Sequence, residues 1–92
     1  MKITKSSIED LLNNLVKPMF DGIIKIEVIN LSLFDGIGSE LYPVIDVIFD
    51  KESFFAVDDK NELENEVSRE VRQTLRYFNI HNSIVVVYVM SD

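Results

Sequence analysis

Few residues of this chain have the type and spacing for chemistry. His81 is the sole imidazole, and cysteine is absent. A metal pair needs a second nitrogen or a thiolate, and a nucleophilic dyad needs an activating partner. Neither can be assembled around His81, which is expected to be a surface residue or a hydrogen bonder near a helix cap, between Asn79 and Asn82. Asp46 and Asp50 share a period-2 face, and Glu27 is expected across a hairpin from them. Paired carboxylates perform acid–base work when they are buried and close. On an open sheet face they are instead solvated charges that blunt the sheet against aggregation. Asp50, Glu52, Asp58 and Asp59 could collect a hard cation, but their spacing lacks the alternation and the glycine of an EF-hand loop. Gly36 and Gly38 form a lone G-x-G between two strands, flanked by Asp35 and Glu40. A phosphate cradle needs a helix N-terminus and no such carboxylates. Phe54 and Phe55 lack the interleaved Lys and Arg of a base-stacking platform and are expected to plug the core. These residues yield no catalytic group, no metal site and no cofactor as expectations.

Charge narrows the partners. The 92 residues carry a formal charge of −7. Residues 1–45 contribute −2, residues 46–66 contribute −6, and residues 67–92 contribute +1. The acidic block includes Glu62, Glu64 and Glu66. Such a field repels phosphate backbones, whose binding rests on Lys and Arg, so nucleic acid is disfavoured as a partner. The block reads first as a solvated face and second as a contact for a basic protein, as in an acidic inhibitor of a basic enzyme. Arg69, Arg72 and Arg76 fall in one narrow strip of a helix and read as a solvent face that complements the helix dipole. They could also meet the acidic block of a second copy.

The elements that must position these groups follow from hydropathy patterning. Ile8, Leu11, Leu12, Leu15 and Val16 make one helical face, and Pro18 ends that helix near Val16 or Lys17. Ser6 and Glu9 have the spacing of a capping box. Met19 and Phe20 are expected under the core. Ile24, Ile26 and Val28 alternate with Lys25 and Glu27 in a strand over about 23–33. After Val28 the phase slips to Ile29, Leu31 and Leu33, which predicts a bulge. A flexible loop is expected over 34–40, then a strand over about 42–50 that points Ile45, Val47 and Phe49 to the core. Residues 51–57 read as a connection. A long helix is expected over about 59–78, with Asp59 as N-cap, Asn79 as C-cap and a stripe of Leu63, Val67, Val71, Leu75 and Phe78. The final strand, residues 84–90, is apolar at every position.

The expected fold is α+β: one domain spanning 1–92, a two-layer α/β sandwich in α-β-β-α-β order. Its three-stranded mixed sheet carries two helices on one face. The long helix crosses over and delivers the last strand parallel to the second. Apolar content of 47% suits a folded core, and no apolar run approaches the ~18 residues of a membrane span. Met1–Ser7 does not read as a secretory signal.

At the level of topology, this order resembles KH-like domains and the iron–sulfur assembly type of αββαβ domain. The first resemblance implies backbone clamping of nucleic acid by a G-x-x-G loop. The glycines here are Gly22, Gly36 and Gly38, with none between 50 and 62. The second implies a working cysteine, and the chain has none. No functional residue carries over from either.

One helical layer leaves the other sheet face to water, yet the last strand is apolar on both faces. Val44, Ile48, Ile84, Val86, Tyr88 and Met90 are expected to form a contiguous apolar patch on the open face. A patch of a few hundred Å² is about the largest a monomer leaves bare. The expected function is therefore a non-enzymatic interaction or assembly module with a protein partner: itself, as a homodimer, or a larger assembly. The alternatives are a KH-like nucleic-acid binder and an acidic inhibitor. Eleven Ile, seven Asn and a single Ala suggest an AT-rich coding bias, which fits a virus- or phage-derived component. The expected setting is the cytoplasm, or a host cytoplasm or virion.

Overall fold

The computed structural model describes residues 4–36 and 38–90, with residues 30–36 and 38–42 described by backbone alone. Helix α1 (Lys5–Leu15) precedes a short 3-10 turn (Lys17–Met19). Strands β1 (Ile23–Gly36) and β2 (Gly38–Phe49) follow, then α2 (Lys51–Phe55), α3 (Lys60–Arg76) and β3 (Ile84–Val89). The sheet order is β1-β2-β3. β1 pairs antiparallel with β2, and β3 pairs parallel with β2. This is the expected three-stranded mixed sheet in α-β-β-α-β order.

The core lies between the sheet and the α1/α3 layer. Ile26 and Val28 of β1, Ile45, Val47 and Phe49 of β2, Leu12 of α1, and Val67, Val71 and Leu75 of α3 are all buried in it. The β1–β2 register shifts between Val28 and Asn30, where the sequence phase slips. A second shift, between Ile23 and Lys25, changes one expectation. It brings Ile23 to the inner face opposite Phe49, and Ile24 is left half-buried.

Other boundaries differ for local reasons. Thr4, not Ser6, caps α1: its hydroxyl accepts from the Ser7 N–H, and the Ser7 hydroxyl accepts from the Thr4 N–H. Phe20 packs against the core, but Met19 stays exposed beside the 3-10 turn. The expected 34–40 loop is mostly strand, since Phe34 pairs with Glu40, Asp35 with Ser39 and Gly36 with Gly38. Two strands that satisfy each other's backbone groups extend their pairing over residues that read as loop. The side chains of Leu31 and Leu33, residue Ile37, and the signal reading at Met1–Ile3 lie outside the described residues.

Residues 51–55 form a helical turn because Asp50 accepts from the Ser53 N–H (3.1 Å). Only one of its two aromatics plugs the core. Phe54 is buried against Phe49, with ring centroids 5.8 Å apart. Phe55, one residue on and so about 100° around the helix, is exposed beneath the Lys60 ammonium. Asp59 caps α3 as expected, accepting from the Glu62 N–H (3.0 Å). Asn79 adopts φ 61°, and the Ile80 N–H reaches the Leu75 carbonyl (3.1 Å), which closes the helix with a Schellman-type turn. That turn buries Ile80 and leaves Phe78 exposed.

Two polar devices tie the layers together. Helix α1 caps the outer edge of β1. Asn13 donates to the Ile26 carbonyl (2.9 Å) and accepts from the Ile26 N–H (3.0 Å), as a neighbouring strand would. Glu9 accepts from the Val28 N–H (3.1 Å), and Lys5 donates to the Ile29 carbonyl (3.0 Å). At the other end of β1, Gly22 (φ 98°) lets its carbonyl accept the Asp50 N–H at 2.7 Å. A Cβ on Gly22 would stand 2.4 Å from the Ser53 Cβ.

Asn13→Ala should lower unfolding free energy by about 1–3 kcal/mol, because it leaves two strand groups without partners. Urea denaturation checks this, and a loss under ~0.5 kcal/mol would contradict the edge-capping role. Gly22→Ala should cost at least ~2 kcal/mol, from positive φ and the clash together. A melting temperature equal to wild type would contradict it.

Candidate functional site

The register fixes what the open sheet face presents. Three rows cross it: Lys25–Ile48–Tyr88, Glu27–Asp46–Val86 and Val44–Ile84. The expected patch residues therefore lie together. Ile84 is 40% exposed, Tyr88 49% and Met90 43%, while Val44, Ile48 and Val86 are half-covered. Neither α1 nor α3 lies on this face, since their buried side chains belong to the opposite layer; Lys51, Glu52 and Phe55 of α2 line a shallow depression with Met90 at its end.

A polar margin borders the patch on the β1 side. Lys25 and Glu27, two apart on one strand, form an ion pair (2.6 Å). The hydrogen bond to Glu27, and then the charge of Glu27, hold the Lys25 ammonium above the usual lysine range. Asp46 sits mid-sheet between Glu27 and Val86. Burial pushes its carboxyl above the usual aspartate range, and the negative charge of Glu27 adds to the rise. Asp50 does not continue this row as expected; it has left the sheet to cap α2.

The remaining side of β3 is its free edge. The Met90 N–H donates to the Phe49 carbonyl (2.9 Å). Backbone groups alternate in direction along a strand. Val86 and Tyr88 therefore also bond toward β2, and Val85, Val87 and Val89 turn their N–H and C=O groups outward. Among the described residues no strand occupies that edge. The inward side chains of these valines are only partly buried, whereas Ile45, Val47 and Phe49 beside them have no exposed surface. The helical layer stops short of β3. The strand is thus open on its outer face, along its edge and over part of its inner face. The legible signal was a seven-residue apolar run without Lys, Pro or Gly, the residues that usually protect an edge.

The charged candidates stand apart from this surface. Glu62 is exposed, and Glu64 and Glu66 are half-buried, on the first half of α3. Arg69, Arg72 and Arg76 are all exposed on its second half and line a shallow depression with Asn65, Ser68 and Gln73. His81 is exposed. Asp50 and Asp59 are engaged as helix caps, and no cluster of three metal-ligating side chains occurs among the described residues. No described helix is long and apolar enough to cross a membrane. The chain has no significant match among protein families, curated proteins or solved structures.

Asp46 binds its proton more tightly folded than unfolded. Its contribution to stability is therefore greatest below the ordinary aspartate range and is lost as pH rises through the raised value. Asp46→Asn should match wild type at pH 3 and exceed it in urea midpoint at pH 7. Equal or lower stability at pH 7 would contradict this electrostatic assignment.

Proposed function

We propose that this chain is a non-enzymatic protein–protein interaction module that self-associates through the surface around β3. The observation that supports this reading is the exposure of Ile84, Tyr88 and Met90 along β3, with half-covered Val86 among them and half-covered Val44 and Ile48 beside them on β2, on either side of Asp46. Water contact with such side chains is unfavourable by ~25 cal/mol per Å², so covering even ~300 Å² returns several kcal/mol before the costs of association. Tyr and Met suit an interface, the first through its polar tip and the second through its adaptable shape. Removing the polar margin from contact matters as well. Lys25 and Glu27 satisfy each other at the patch border and need not be desolvated when Tyr88 and Met90 are covered. The proposed role is assembly: a homodimer, or a subunit that repeats within a larger structure.

Sedimentation equilibrium at tens of micromolar should show a species heavier than one 10.6 kDa chain. Tyr88→Lys should weaken that association at least tenfold, about 1.4 kcal/mol, without changing the far-ultraviolet circular dichroism. A strict monomer at that concentration would contradict the reading.

A further inference from the structure

Resting on that reading, we infer that two copies join edge to edge: β3 pairs antiparallel with β3 of a second copy, and two three-stranded sheets become one of six strands. The two edges of the sheet differ in kind. The β1 edge is met from Ile26 to Ile29 by Asn13, Glu9 and Lys5. The β3 edge has no strand beside it among the described residues. Backbone groups on a covered edge need partners, and strand addition supplies them.

The register follows from which groups point outward. Val85, Val87 and Val89 carry the free N–H and C=O groups. A two-fold axis at Val87 sets Val87 opposite its own copy and Val85 opposite Val89, forming roughly six interchain hydrogen bonds. No other centre within the strand uses all three valines. The same register places Val86 beside the second copy's Tyr88, and Ile84 beside its Met90, on the outer face. The exposed residues then form one apolar band across the seam. On the inner face, the half-covered valines of the two copies meet side by side.

Charge favours a second copy over an unrelated strand. Helix α3 connects two parallel strands, so it runs antiparallel to β3. The two-fold axis sets the two α3 helices antiparallel on the same face. The acidic half of each helix, which carries Glu62, Glu64 and Glu66, then runs alongside the basic half of the other, which carries Arg69, Arg72 and Arg76. This opposes the repulsion expected of two chains of charge −7. β3 itself carries no charge to oppose pairing.

Two variants test the geometry. Val87→Pro removes an N–H that faces the free edge and is not needed for the β2 ladder, and proline is tolerated on edge strands in that orientation. It should remain folded and sediment as a monomer where wild type does not. The chain has no cysteine, so single cysteines report proximity without background. Mixed Val86→Cys and Tyr88→Cys chains should form a disulfide-linked heterodimer under mild oxidation, at least fivefold more than either variant alone. If Val87→Pro fails to fold, the cysteine pair still decides. A dimer that survives folded Val87→Pro, or cross-links equally in mixed and single-variant samples, overturns edge pairing and leaves association through the open face. A wild-type monomer overturns both.

Discussion

A sheet has two edges, and the hydrogen-bonding groups along them must be met by something. In this chain that requirement is answered on one side only. The β1 edge is met by α1, whose Asn13 amide imitates a peptide of a missing strand and whose Glu9 and Lys5 take the next backbone positions. α1 lies against β1 both through its apolar face, Ile8 and Leu12, and through this polar seam. At the opposite edge lies β3, a valine-rich strand with no further strand beside it among the described residues.

The rest of the design is consistent with that asymmetry. The fully enclosed side chains belong to β1, β2 and the two long helices, while β3 contributes only partly buried valines. The core is therefore centred on β2, and β3 is attached to its flank through the parallel ladder from Val44–Ile84 to Phe49–Val89. A strand of this kind is a poor terminus for a monomeric sheet and a suitable middle for a larger one. The proposed function follows from this property of β3, and the charge order along α3 is compatible with a two-fold arrangement around it. The chemistry-bearing residues lead elsewhere: Asp50 and Asp59 are occupied as caps, and Lys25 and Glu27 are occupied with each other.

Much of this was legible in the residue pattern because the signals are local. The phase slip after Val28 marked a bulge, Asp59 and Asn79 marked the ends of α3, and a run apolar at every position marked a strand with two apolar faces. The open-face residues Val44, Ile48, Ile84, Val86, Tyr88 and Met90 follow from period-2 alternation alone. What escaped depends on tertiary partners. Asn13 and Glu9 sit at the border of an amphipathic helix, where polar residues ordinarily meet water, and only the approach of β1 gives them a role. Ile23 displaces Ile24 because of a second register shift that no change of hydropathy accompanies. The choice of Thr4 over Ser6 as cap turns on Ser7 answering it, a pairing that the Ser6–Glu9 spacing concealed. The outward orientation of the valine backbone required knowing which neighbour β3 has.

The most direct measurement is amide hydrogen exchange at Val85, Val87 and Val89, followed across protein concentration. These amides should exchange quickly in dilute solution and become protected as concentration rises. Those of Val86 and Tyr88, bonded to β2, should be slow throughout. Exchange at the three valines that is independent of concentration, whether fast or slow, would contradict it.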